Sequence, residues 1–133
     1  MGCELPGTHV TLDAVIEKRK WPRDEDLSEL LSTAASVGRA TPIKCHVISL
    51  PCELSRPDSP PGGTAWCGLD ESHITLHWYD KGDAVEFALD VFTCGDHANP
   101  EKIVNFLETK LGADTPIRSE KGYYSRMEFL TRD

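Results

Sequence analysis

Apolar and polar residues alternate along several runs of this chain. Between Thr8 and Ile16, Val10, Leu12, Ala14 and Ile16 occupy every second position, the period of a half-buried strand. Pro42 to Leu50 sets Ile43, Cys45, Val47 and Ser49 against Lys44, His46, Ile48 and Leu50, a second strand. Thr64 to Leu69 and His73 to Tyr79 read as short strands separated by Asp70-Glu71-Ser72. Asp80-Lys81-Gly82-Asp83 carries turn chemistry, and Val85 to Thr93 alternates again, so the runs on either side form a hairpin. The period changes to that of a helix in two places. After the Trp21-Pro22-Arg23 break, Leu27, Leu30, Leu31, Ala34 and Ala35 make an apolar stripe, with Asp24 or Asp26 as cap and Gly38 as stop. After Asn99-Pro100-Glu101, the residues Ile103, Val104, Phe106, Leu107 and Leu111 do the same, closed by Gly112. Thr115 to Ser119 and Tyr123 to Leu130 read as final strands. Pro51 to Gly63 holds four prolines and two glycines and is expected to be a mobile loop that shapes a site. The order strand, helix, several strands, helix, strands predicts an α+β fold, a layered sandwich with helices packed on one face of a mainly antiparallel sheet.

A chain of 133 residues is expected to form a single domain, residues 1–133, with one core. Hydrophobic content of 39% beside 27% charged residues fits a soluble globular protein. The net charge is −8, and no basic block is longer than Lys18-Arg19-Lys20. Nucleic-acid binding needs a concentrated basic face, and so does docking on an anionic membrane, so neither partner is expected. No apolar run approaches the roughly 20 residues of a membrane span. The N-terminus lacks the charged start and apolar core of a secretory signal, and Pro6 speaks against myristoylation at Gly2. A cytoplasmic protein is expected. The five cysteines include no Cys-x-x-Cys pair, which excludes a zinc ribbon. Reduced thiols are expected, four of them acting as small apolar residues. Trp21 and Trp66 are expected to serve packing.

Two stretches carry most of the candidate chemistry: Glu71-Ser72-His73-Ile74-Thr75-Leu76-His77 and Phe92-Thr93-Cys94-Gly95-Asp96-His97. A serine hydroxyl held against the preceding carbonyl can attack it, turning the amide into an ester, if the peptide is strained and the oxyanion stabilised. Elimination then leaves a dehydroalanine, which hydrolyses to a pyruvoyl group at a new N-terminus. That ketone is an electron sink for amines. Taken singly, Ser72 reads as a turn serine, His77 as a core histidine and Cys94 as a packed thiol. Only the combination points to catalysis. A metal site built from His9, His46 and His97 with Cys94 or Asp96 is the other way to combine these residue types; the main reading expects no metal.

The combination resembles the pyruvoyl-dependent S-adenosylmethionine decarboxylase proenzymes in their short bacterial and archaeal form. Similar proenzymes place Glu-Ser-His at the cleavage point, here Glu71, Ser72 and His73, and a histidine five residues after the serine, here His77. They carry Phe-Thr-Cys-Gly-Asp, matched by Phe92 to Asp96, then a Pro-Glu-Lys helix start like Pro100-Glu101-Lys102. Gly7-Thr8-His9 matches a Gly-x-His near their N-terminus. The resemblance implies that Ser72 is the self-cleavage nucleophile and the source of the pyruvoyl cofactor. Glu71 would end a β chain of residues 1–71, leaving residues 72–133 as the α chain. His77 would move protons during processing, Thr64 would take the place of an assisting serine, and Cys94 would be the general acid. It further implies a homodimer of processed protomers with sites near the interface, acting in polyamine synthesis. Where relatives continue Thr-Trp-Pro-Glu, this chain reads Trp78-Tyr79-Asp80-Lys81. Trp78 or Tyr79 is then expected to stack on adenine, with Asp80 at the ribose and Glu71 beside the substrate. The same change leaves open a small-molecule substrate other than S-adenosylmethionine, namely the basic amino acids ornithine or arginine. A non-cleaving homologue that serves as a binding or regulatory partner is the alternative outside catalysis.

Overall fold

The structure is a computed structural model that describes residues 6–70, 72–95 and 97–126. Its elements are β1 (Gly7–Glu17), α1 (Asp24–Val37), β2 (Pro42–Leu50), β3 (Gly62–Leu69), β4 (Ser72–Asp80), β5 (Ala84–Cys94), α2 (Pro100–Lys110) and β6 (Arg118–Arg126). The six strands form one sheet in the order β2-β3-β4-β5-β1-β6, antiparallel at every seam. This is the expected α+β architecture. Because side chains alternate along a strand, the alternating runs sort the sheet into two faces. Val10, Leu12, Ala14 and Ile16 of β1, Ile74, Leu76 and Trp78 of β4, and Val85, Phe87, Leu89 and Val91 of β5 all turn inward. There they meet Leu27, Leu31, Ala34 and Ala35 of α1 and Ile103, Val104 and Leu107 of α2, which pack on each other and on that face. Among the described residues no helix packs on the opposite face.

The helix ends differ. Arg23 precedes α1 and makes no side-chain cap, and Asp24, Glu25 and Asp26 occupy the first turn. The expected aspartate cap is therefore absent, and the carboxylates act through the positive end of the helix dipole instead. At α2, the Asn99 Oδ1 accepts from the Lys102 N–H at 3.1 Å, and Pro100 holds the first helical position, where its missing N–H costs nothing.

Two further expectations change. The two final strands are one, β6, running through Gly122 and, among the described residues, paired only with β1; residues 127–130 lie outside the described residues. Cys45 and Cys67 face each other across β2 and β3 with Cα atoms 4.0 Å apart and are joined by a disulfide, so these two are not the reduced thiols expected. Cys52 is exposed in the loop and Cys94 is half-buried at the end of β5. Gly63 shows how closely the sheet is packed. A Cβ there would lie 2.2 Å from the Trp78 ring and 2.8 Å from the Ile48 carbonyl oxygen, so only glycine leaves room for the indole.

Candidate active site

Strand β4 begins at Ser72, whose register partner on β3 is Leu69. Asp70 makes the turn, its N–H donating to the Thr41 carbonyl at 3.0 Å. The half-buried Ser72 hydroxyl donates to the Asp70 carbonyl at 3.3 Å, so it is held against main chain just before the proposed junction. Glu71 lies outside the described residues. On the other side of β4, His73 is paired with Phe92 of β5, and β5 ends at Cys94 opposite Gly7 of β1. The start of β4 and the end of β5 are thus neighbours, and Ser72 and Cys94 share one end of the sheet.

Thr64 and His77 form a second group. They are direct partners across β3 and β4 on the helix-free face. His77 stands five residues beyond Ser72 on an extended strand, a run of about 16 Å at the usual rise per residue. Within one chain the two groups do not meet. The Tyr79 ring lies edge-on to His77 with centroids 4.8 Å apart and is 41% exposed. Both line a cavity of about 290 Å³ together with Asp13, Glu86, Phe87 and Ala88. Ala88 lies between His77 and Asp13 in register, and its small side chain leaves the notch. Asp13 and Glu86 escape a reading of the sequence because no motif marks them; only the pairing of β1, β5 and β4 brings them beside His77.

Trp78 and Asp80, expected to hold substrate, already have partners within the chain. Trp78 shares the inward parity of Ile74 and Leu76, is 3% exposed, and packs on Trp21 with ring centroids 5.6 Å apart, while Trp21 in turn lies 5.4 Å from Phe87. Its indole belongs to the core and cannot stack on a nucleobase. Asp80 pairs with Lys18 and also accepts from the Gly82 N–H at 2.9 Å. The Lys18 ammonium, then the Gly82 N–H, hold its carboxyl below the usual carboxylate range. This carboxylate stabilises the hairpin turn. Trp66, expected to serve packing, packs on the helix-free face against His46 with centroids 5.1 Å apart, 40% exposed there.

The set formed by a main-chain-anchored serine at a strand start and a half-buried thiol at the adjoining strand end fits a carbonyl group derived from Ser72. Metal ligation has less support. Among the described residues no group of three or more His, Cys, Asp or Glu side chains is placed to hold an ion. His46 on β2 and His9 on β1 are four strand spacings apart, about 19 Å, and cannot share one. Among the described residues no helix is long and apolar enough to cross a membrane.

Comparison with known proteins points in one direction. A family profile described as S-adenosylmethionine decarboxylase matches residues 8–120. The S-adenosylmethionine decarboxylase proenzyme of Aquifex aeolicus (strain VF5) is 31% identical over 122 residues, covering 90% of this chain and 80% of that protein. The proenzyme of the same description from Synechococcus sp. (strain WH7803) is 35% identical over 111 residues, covering 82% and 78%. The crystal structure of the adenosylmethionine decarboxylase from Aquifex aeolicus is similar at a TM-score of 0.70 and 27% identity, covering 92% of each chain.

Proposed function

The chain belongs to the S-adenosylmethionine decarboxylase family, and we propose that it cuts itself between Glu71 and Ser72 and then decarboxylates S-adenosylmethionine. The observation that carries this reading is that the start of β4, at Ser72, adjoins the end of β5, at Cys94, in the sheet. Self-cleavage needs the serine hydroxyl close to the main chain that precedes it, and the Ser72–Asp70 contact supports this reading. A pyruvoyl group at residue 72 supplies the electron sink that draws charge from the carbon losing CO2. Cys94, one strand away, is the proton source for that carbon, as general acid.

His77 and Thr64 enter from a second copy of the chain. Their distance from Ser72 along β4 supports this, and the helix-free face offers the surface. Ile48, Trp66, Tyr79 and Tyr124 are all substantially exposed there, more apolar side chain than a lone soluble sheet face usually shows. A dimer formed through this face would bring His77 and Thr64 of the partner subunit to the serine of the first. Tyr79 is the one aromatic of the expected pair that remains open to a ligand, and we assign it the adenine, with Asp13 and Glu86 toward the cationic part of the substrate. Tyr79→Ala is expected to leave cleavage intact and raise KM about tenfold, the loss of roughly 1.4 kcal/mol of contact. An unchanged KM would place the nucleoside elsewhere.

Intact mass measurement followed by CO2 release from carboxyl-labelled S-adenosylmethionine, ornithine and arginine tests the whole reading. Fragments of residues 1–71 and 72–133 with release from S-adenosylmethionine are the expected result. Release from ornithine or arginine alone would show a rebuilt pocket. One uncut mass and no release would make the chain a decarboxylase-shaped binding protein.

A further inference from the structure

We propose that His73, Asp90, His9 and Arg126 form a clamp that keeps the start of β4 in place once the chain is cut before Ser72. The inference rests on the cleavage reading above. Cutting there turns residue 72 into a chain end, and chain ends fray unless something ties them down. In the uncut chain the turn at Asp70 ties β4 to β3; the cut removes that tether. Residue 72 must nevertheless stay in place beside the end of β5, where Cys94 stands, for proton transfer.

The first side chain of β4 on the helix-free face is His73, and it is held from β5. Its ring lies against Phe92 with centroids 5.8 Å apart, and its Nε2 is 3.8 Å from the Asp90 Oδ1. That same oxygen is 2.5 Å from the His9 Nε2 on β1. The His9 Nδ1 lies 3.3 Å from the Arg126 Nη1 on β6. A guanidinium only donates, so Nδ1 accepts and the Nε2–H of His9 donates to Asp90. Arg126 also lies over the Phe92 ring, 5.4 Å from its centroid. Gly7 makes room for that ring, since a Cβ there would come within 2.5 Å of it. The contacts therefore run without a break from the first outward residue of β4 across three further strands. They sit beside Phe92, two residues before Cys94, where displacement of residue 72 would matter most. One carboxylate serving imidazoles from both neighbouring strands joins the new chain end to the part of the sheet that the cut does not touch.

The clamp bears load only after cleavage, and the test uses that. Amide hydrogen exchange is followed at residues 73–75 in the processed protein and in an uncut Ser72→Ala protein, each with and without Asp90→Asn. In the processed protein Asp90→Asn is expected to speed exchange about tenfold and lower kcat about tenfold, with KM changed less than about twofold and cleavage complete by mass. In the uncut protein the same change should leave exchange at these residues as it was. Equal acceleration in both backgrounds would show general loosening of the sheet, and no acceleration in either would show that His73 needs no partner; each result overturns the clamp. His9→Gln repeats the comparison should Asp90→Asn fail to fold. A wild-type chain that never cleaves has no new end to hold, and it overturns the cleavage reading and the clamp together, whereas cleavage with unaltered exchange overturns the clamp alone.

Discussion

Ser72→Ala is expected to yield one intact chain and no measurable CO2 release. The substitution removes the only oxygen that the described structure holds against main chain beside the junction. Without it no ester forms, the peptide between residues 71 and 72 stays an amide, and no carbonyl group arises at residue 72. The fold should survive, because Ser72 is only half-buried at a strand start and contributes one long hydrogen bond at 3.3 Å. A surface change of that kind shifts stability by about 0.5 kcal/mol or less. The loss of activity is thus attributable to chemistry, and a melting curve beside the mass spectrum separates the two. Retained CO2 release in the uncut protein would sink the pyruvoyl mechanism.

Cys94→Ala is expected to cleave at least in part and to lose about 10²- to 10⁴-fold in kcat, the usual contribution of a positioned general acid. The thiol stands at the end of β5, half-buried, with Gly7 as its partner on β1. A smaller side chain there creates little void, so stability should change less than turnover. Without the thiol, the carbon that has lost CO2 must wait for a proton from water, and a proton delivered to another carbon instead should show in product analysis as wrongly protonated material. A turnover rate equal to that of the wild type would remove Cys94 from this role.

The legibility of the chain follows the physics of each element. β1, β4 and β5 have a helix-covered face and a bare face, and a strict period of two records that in the sequence. Inward Trp78 follows from the same period, since it continues the series Ile74, Leu76; the family pattern at that position pointed the other way, and the core took the indole. β6 has no such imprint. It is an edge strand of polar residues with Gly122 in its middle, so nothing in the alternation joins its two halves. The Cys45–Cys67 bridge and the neighbours of His77 depend on the register between strands far apart in sequence, which spacing along the chain does not encode. The motifs around Ser72 and Cys94 are local and can be read along the chain, but the distance between Ser72 and His77 became evident only when the residues between them took up extended backbone.

The strand order also determines what the proposed cleavage would do to the thermodynamics of the molecule. Residues 1–71 contribute β1, β2 and β3, and residues 72–133 contribute β4, β5 and β6. In the order β2-β3-β4-β5-β1-β6 the two pieces interleave, with β1 of the first gripped between β5 and β6 of the second. They share three seams: β3 with β4, β5 with β1, and β1 with β6. The cut pieces would not drift apart, since release of either requires dismantling the sheet. Unfolding, however, would change its order of reaction. One chain unfolds to one species, but a cut molecule unfolds to two, and its melting point then climbs with concentration as mass action requires. Maturation would convert a self-contained fold into an assembly of two strangers that remains whole only because each supplies strands the other needs.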